Sequence, residues 1–106
     1  MNPERGDVLW ASDPFRDGDA GRPWLVVSSP ATPYQGEQFV CLALTSKGYH
    51  DDAVPVRNDA LPAESYVLPW SVRTVEIEDV VNMVGSLRGE TVSVSVERLV
   101  TYVGGG

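Results

Sequence analysis

Apolar runs in this chain are short and are separated by clusters of glycine, proline and aspartate. "GDVLWA" (6–11) follows a Gly-Asp start and predicts a first strand. "SDPFRDGDAG" (12–21) holds a proline, two glycines and three aspartates, and predicts a loop. "RPWLVVSS" (22–29), β-branched and aromatic, predicts a second strand; Pro23 sits at its start, where a missing N–H leaves the ladder beyond it intact. After a second loop, "PATPYQGEQ" (30–38), the run "FVCLALTS" (39–46) lacks alternation and predicts a strand buried on both faces. "KGYHDD" turns the chain into "AVPVR" (53–57), an edge-type strand broken by Pro55. The loop "NDALPAE" leads to "SYVLPW" (65–70), a strand ending near Pro69, and "VVNMVGSL", around 81–88, supplies a sixth. Strands this short and closely spaced predict a mainly β fold, a small, strongly curved antiparallel barrel or half-barrel.

The last segment supports two periods. "ETVSVSVERLVTYV" (90–103) alternates at Val92, Val94 and Val96, as a strand does. Val92, Val96, Leu99 and Val103 also fall on one helical stripe, with Val100 beside it. Glu90 near the start and Arg98 near the end suit a helix dipole, whereas the β-branched residues oppose a helix. Pattern alone leaves both open. Residues 103–106, ending in glycines, are expected to form a flexible tail.

At 106 residues the chain is expected to be one domain, 1–106. The amino terminus is polar, without a secretory apolar region, and "FVCLAL" at six residues is too short to cross a bilayer. A cytoplasmic protein with no membrane association is the expectation. The lone cysteine, Cys41, lies inside that run and reads as a small buried hydrophobe. Fifteen carboxylates against seven arginines and one lysine, Lys47, give a net charge of −7. This balance opposes nucleic-acid binding by bulk attraction. It also suggests a surface adapted to high salt, as in a halophile, where recognition of phosphate would rest on short, directed hydrogen bonds.

Arg22, fixed between Gly21 and Pro23, carries the first candidate chemistry. One reading points its planar fork at two phosphate oxygens. The other pairs it with Asp17 or Asp19 in the preceding loop. His50, the single histidine, stands beside Asp51 and Asp52, but one imidazole and two adjacent turn carboxylates do not make a metal site. It is read as part of a solvated hairpin tip, with a role as acid or base as the alternative. No metal and no cofactor are expected. Of the three tryptophans, Trp10 and Trp24 read as core, and Trp70, beside Pro69, as the candidate for stacking on a base.

Three segments, in order, resemble the MazF/PemK family of toxin endoribonucleases from toxin–antitoxin modules. "RGDVLW" (5–10) is similar to the family's opening strand, and "GRPWLVVS" (21–28) to its G-x-R-P strand. "LALTSK" (42–47) with "SYVLPWSVRTVE" (65–76) is similar to its T-S and R-T segments. The resemblance implies an SH3-like barrel with a carboxy-terminal helix, and hence a helical tail segment. It implies a homodimer that cleaves single-stranded RNA without a metal ion and is neutralised by a cognate antitoxin.

It also implies roles for residues. Arg22 would stabilise charge on the phosphoryl oxygens. Thr45 would hold one of them by a hydrogen bond, where the bland alternative is a hydroxyl capping a turn. Ser46, Lys47, Trp70 and Arg73 would touch the RNA, with a bracing role for Arg73 as the alternative. Trp70 stands where several family members carry an acidic residue, and an indole cannot accept a proton. Asp17, Asp19 and His50 are then the candidates for acid or base, unless Arg22 and Thr45 suffice. Two rival classes share the barrel: a non-catalytic RNA- or protein-binding module, and a gyrase poison of the CcdB kind.

Overall fold

A computed structural model describes residues 2–13, 21–48, 51–56, 61 and 64–104 of the chain. Six strands and one helix follow one another: β1 (Asp7–Ser12), β2 (Gly21–Val26), β3 (Gln38–Thr45), β4 (Val54–Val56), β5 (Ser65–Glu76), β6 (Val80–Ser86) and α1 (Gly89–Val103). A short 3-10 turn, Ile77–Asp79, joins β5 to β6. The strands form one sheet in the order β4-β5-β3-β2-β1-β6, with every neighbouring pair antiparallel.

The opening "RGD" is a clasp. Asp7 accepts from the Glu4 N–H and from the Ser86 hydroxyl, each at 2.8 Å. Gly6 has a positive φ of 100°, which a side chain would strain; its N–H reaches Val26 and its carbonyl takes the N–H of Leu87. Arg5 donates to the carbonyl of Val27 at 2.9 Å. Three consecutive residues thus tie the start of β1 to the ends of β2 and β6.

Both faces of the sheet are apolar. On one, Leu9, Ala11, Trp24, Val26, Cys41, Ala43 and Val75 pack together. On the other, Val8, Leu25, Leu42, Leu44 and Val67 meet Val92 of α1. Successive residues of β2 and β3 serve opposite faces, as the pleat requires. A strand flanked on both sides by such layers reads as an unbroken apolar run, which accounts for "FVCLAL".

One element differs from what the pattern predicts, and one that the pattern leaves open is settled. The strand expected to stop near Pro69 runs on to Glu76, because its ladder with β3 is interrupted there. Leu42 pairs with Val72 and Ala43 with Leu68, so Pro69, Trp70 and Ser71 fall in a bulge. A residue without an N–H costs nothing in hydrogen bonds where the ladder is already skipped. The carboxy-terminal segment is helical. Its Val92, Ser95, Val96 and Leu99 face the sheet at helical spacing, while Val94 points outward. Ser95, fully buried, satisfies its hydroxyl on the carbonyl of Thr91 at 2.8 Å. Burial of the stripe overrides the local β preference of its valines. Arg98 leaves the stripe and donates to the carbonyl of Asp52, fastening α1 to the turn before β4. Val103 is the last helical residue and Gly104 caps the end.

Candidate active site

Register places Arg22 and Thr45 together. Trp24 pairs with Ala43, and continuing that antiparallel register sets Pro23 opposite Leu44 and residue 22 opposite residue 45. Pro23 has no proton to give. The carbonyl of Leu44 instead accepts Nη2 of Arg22 at 3.0 Å. The "GRP" triplet thereby ends the β2–β3 ladder and fixes a guanidinium at the point where it ends.

Arg22 is held from two further sides. Its Nη1 lies 3.6 Å from the Asp13 carboxylate; the Asp13 side chain is 2% exposed, that of Arg22 20%. Its guanidinium carbon is 5.7 Å from the centre of the Trp24 ring. Arg22 Nε and the Trp24 indole N–H are buried without a hydrogen-bond partner among the described residues. Arg22 is therefore paired with a carboxylate and also borders an open cleft. The partner found is Asp13. Asp17 and Asp19 lie outside the described residues, as does His50.

That cleft has a volume of about 300 Å³ and is lined by Gly21, Arg22, Pro23, Thr45, Ser46 and Lys47 among others. Thr45 Oγ1 accepts the N–H of Lys47 at 3.2 Å, so the hydroxyl caps the turn after β3. A hydroxyl that accepts one bond keeps its own proton to donate. Capping the turn leaves Thr45 able to hold an anionic oxygen.

The remaining candidates stand apart. Arg73 lies over the Trp24 ring, 5.2 Å from its centre, and donates to the carbonyl of Ser12, bracing the end of β1. This matches the bracing alternative. Trp70 is 43% exposed but meets Tyr102 of α1 edge-on at 6.4 Å and is not among the residues of the cleft. Trp24 is core, as the pattern predicts; Trp10 is not. It is 37% exposed and stands in the cleft wall. Cys41 is fully buried, and burial pushes its thiol from the ordinary 9.0 to about 12, which makes it inert as a nucleophile near neutrality. Sequence reasoning missed Asp13 because it sits among three aspartates of one loop, with nothing in the pattern to rank them.

Fold and cleft together define a small antiparallel β domain with an arginine and a hydroxyl at the ends of adjacent strands, facing space for an anion. The chain belongs to the PemK-like, MazF-like toxins of type II toxin–antitoxin systems, whose family model matches residues 4–103. Among solved structures it is similar to an endoribonuclease in complex with its cognate antitoxin from a mycobacterial species, at 24% identity, 97% and 94% coverage of the two chains, and a TM-score of 0.76. MazF from Deinococcus radiodurans is similar at 17% identity, 98% coverage of both chains and a TM-score of 0.81. The toxin MazF-mt6 of Mycobacterium tuberculosis shares 18% identity over 90% of this chain and 93% of its own, with a TM-score of 0.68. No curated protein matches the chain by sequence. No helix among the described residues is long and apolar enough to cross a membrane.

Proposed function

We propose that this chain is an endoribonuclease toxin that cuts single-stranded RNA at the Arg22–Thr45 cleft. The observation that carries the reading is the meeting of these two residues with Lys47 at the rim of one cleft, in a chain of this toxin family. The reaction asks little of the protein. A ribose 2′-oxygen attacks the neighbouring phosphorus, the bond from phosphorus to the 5′-oxygen breaks, and a 2′,3′-cyclic phosphate remains. One proton leaves the 2′-hydroxyl and another arrives at the departing 5′-oxygen. Arg22 stays charged throughout and stabilises the phosphoryl oxygens; the Thr45 hydroxyl donates to one of them. Asp17, Asp19 and His50 are the candidates for moving the protons, and the step needs no metal ion. Ser46 and Lys47 contact the RNA backbone.

The protein acts in the cytoplasm as a homodimer, and a cognate antitoxin neutralises it. Its charge of −7 is read as adaptation to strong salt, so cleavage should persist there. Purified protein incubated with long RNA in EDTA, at low and at molar salt, tests the proposal. Cutting that Arg22→Ala abolishes supports it. Binding without cutting in every salt supports a second reading, a non-catalytic binding module, which the Asp13 pairing of Arg22 favours.

A further inference from the structure

Among the described residues, one large aromatic side chain lines the cleft, and the chemistry above gives it no task. Trp10 projects from β1 on the same face as Val8, but Val8 is sealed against Val92 and Leu87, while Trp10, two residues on, overhangs the open space. Its indole leans across to β2. A Cβ built on Gly21 would lie 2.4 Å from Trp10 Nε1, so only a glycine there lets the ring lie against the strand. The ring is thereby fixed in orientation while 37% exposed. Leu61 and Val84 face the same space from beyond the ring.

We infer that Trp10 is the stacking platform for one unpaired nucleobase of the bound RNA, beside the phosphate held at Arg22. This rests on the nuclease reading and assigns it a base subsite. A nucleotide presents a flat aromatic body joined to an anionic oxygen cluster. The cleft presents an immobilised π-face with apolar flanks, next to Arg22, Lys47 and the Thr45 hydroxyl. Stacking tolerates any base, because every base has a π-face. The other two tryptophans are unsuited: Trp24 is buried, and Trp70 packs on Tyr102 away from the cleft.

The test uses the whole chain labelled with 5-fluorotryptophan, in EDTA, with mixed-sequence 2′-O-methyl RNA that cannot be cut. Trp10→Phe identifies the Trp10 fluorine resonance. That resonance should move on adding RNA, further than that of Trp24 behind Arg22, while that of Trp70 stays. Trp10→Ala should raise Kd for this RNA about tenfold, equal to about 1.4 kcal/mol of binding, and on unmodified RNA should raise KM by a similar factor with kcat little changed. Trp10→Phe, which keeps a stacking ring, should stay within about threefold of the unaltered protein. RNA binding with a stationary Trp10 resonance, or an unchanged Kd in Trp10→Ala, overturns the inference and leaves the nuclease reading standing. A protein that neither binds nor cuts RNA removes both. A Trp10 resonance moved only by a protein partner replaces the nucleobase with a peptide and also overturns the inference.

Discussion

Arg22 does two jobs in this account, and one pair of variants separates them. Arg22→Ala removes the proposed phosphate ligand. It also takes from the Asp13 carboxylate, 2% exposed, the cation 3.6 Å away. Breaking a buried pair from one side costs about 3–5 kcal/mol. Asp13 keeps other interactions, so the lower end, about 3 kcal/mol, is expected. For a domain of this size that lowers the unfolding temperature by about 12 °C or more. Loss of activity in the single variant would then mix damage to the fold with damage to the site. Arg22→Ala combined with Asp13→Asn removes the buried charge that has lost its cation, and a neutral amide can share the local hydrogen bonds. The double variant should recover most of the lost stability while its RNA cleavage stays absent. Thermal unfolding and cleavage measured on the same preparations check both halves. A single variant as stable as the parent would refute the energetic argument. A double variant that cuts RNA would refute the role given to Arg22.

Thr45→Val keeps the β-branched shape but loses the donor, and should cut RNA about 100-fold or more slowly, while Thr45→Ser retains most of the rate. Gly21→Ala should push the Trp10 ring off β2 and cost about 1–3 kcal/mol, read as lower denaturant resistance and a red-shifted emission. Cys41 sets an alkaline limit: its thiol is raised to about 12 in the fold, so the unfolded chain ionises first and stability falls as pH rises above the ordinary 9.0. Raising the pH by one unit beyond that value should remove about 1 kcal/mol that Cys41→Ala does not lose, as urea titrations would report. Native Cys41 should also resist a thiol reagent at pH 8 until the protein is unfolded.

The strands whose patterns were unambiguous were legible in the sequence. β1, β2 and β3 fall within a residue or a few of their apolar runs, because each is set by sheet burial. The sequence pattern shortens β5 at Pro69, since a proline fits the end of a ladder and a bulge, here the one across from Leu42 and Ala43, equally well. Local sequence carries no trace of the partner strand that distinguishes them. The Val92–Val96 alternation left α1 open for a related reason: which face is buried depends on the sheet it covers. At the site, the Gly-Arg-Pro setting singles out Arg22, the resemblance points to Thr45, and register brings the two together. Trp10 reads as core in the sequence because an apolar strand position does not reveal whether its part of the sheet is covered. Asp13 could not be picked out until the fold set it against Arg22.

The most direct measurement is product chemistry on an RNA carrying one 2′-deoxy substitution at a mapped cut site, with EDTA present. The account predicts 2′,3′-cyclic phosphate ends at that site in the unsubstituted RNA and no cut there once the 2′-hydroxyl is gone. Cutting that survives the substitution, or ends bearing a 5′-phosphate, would contradict it.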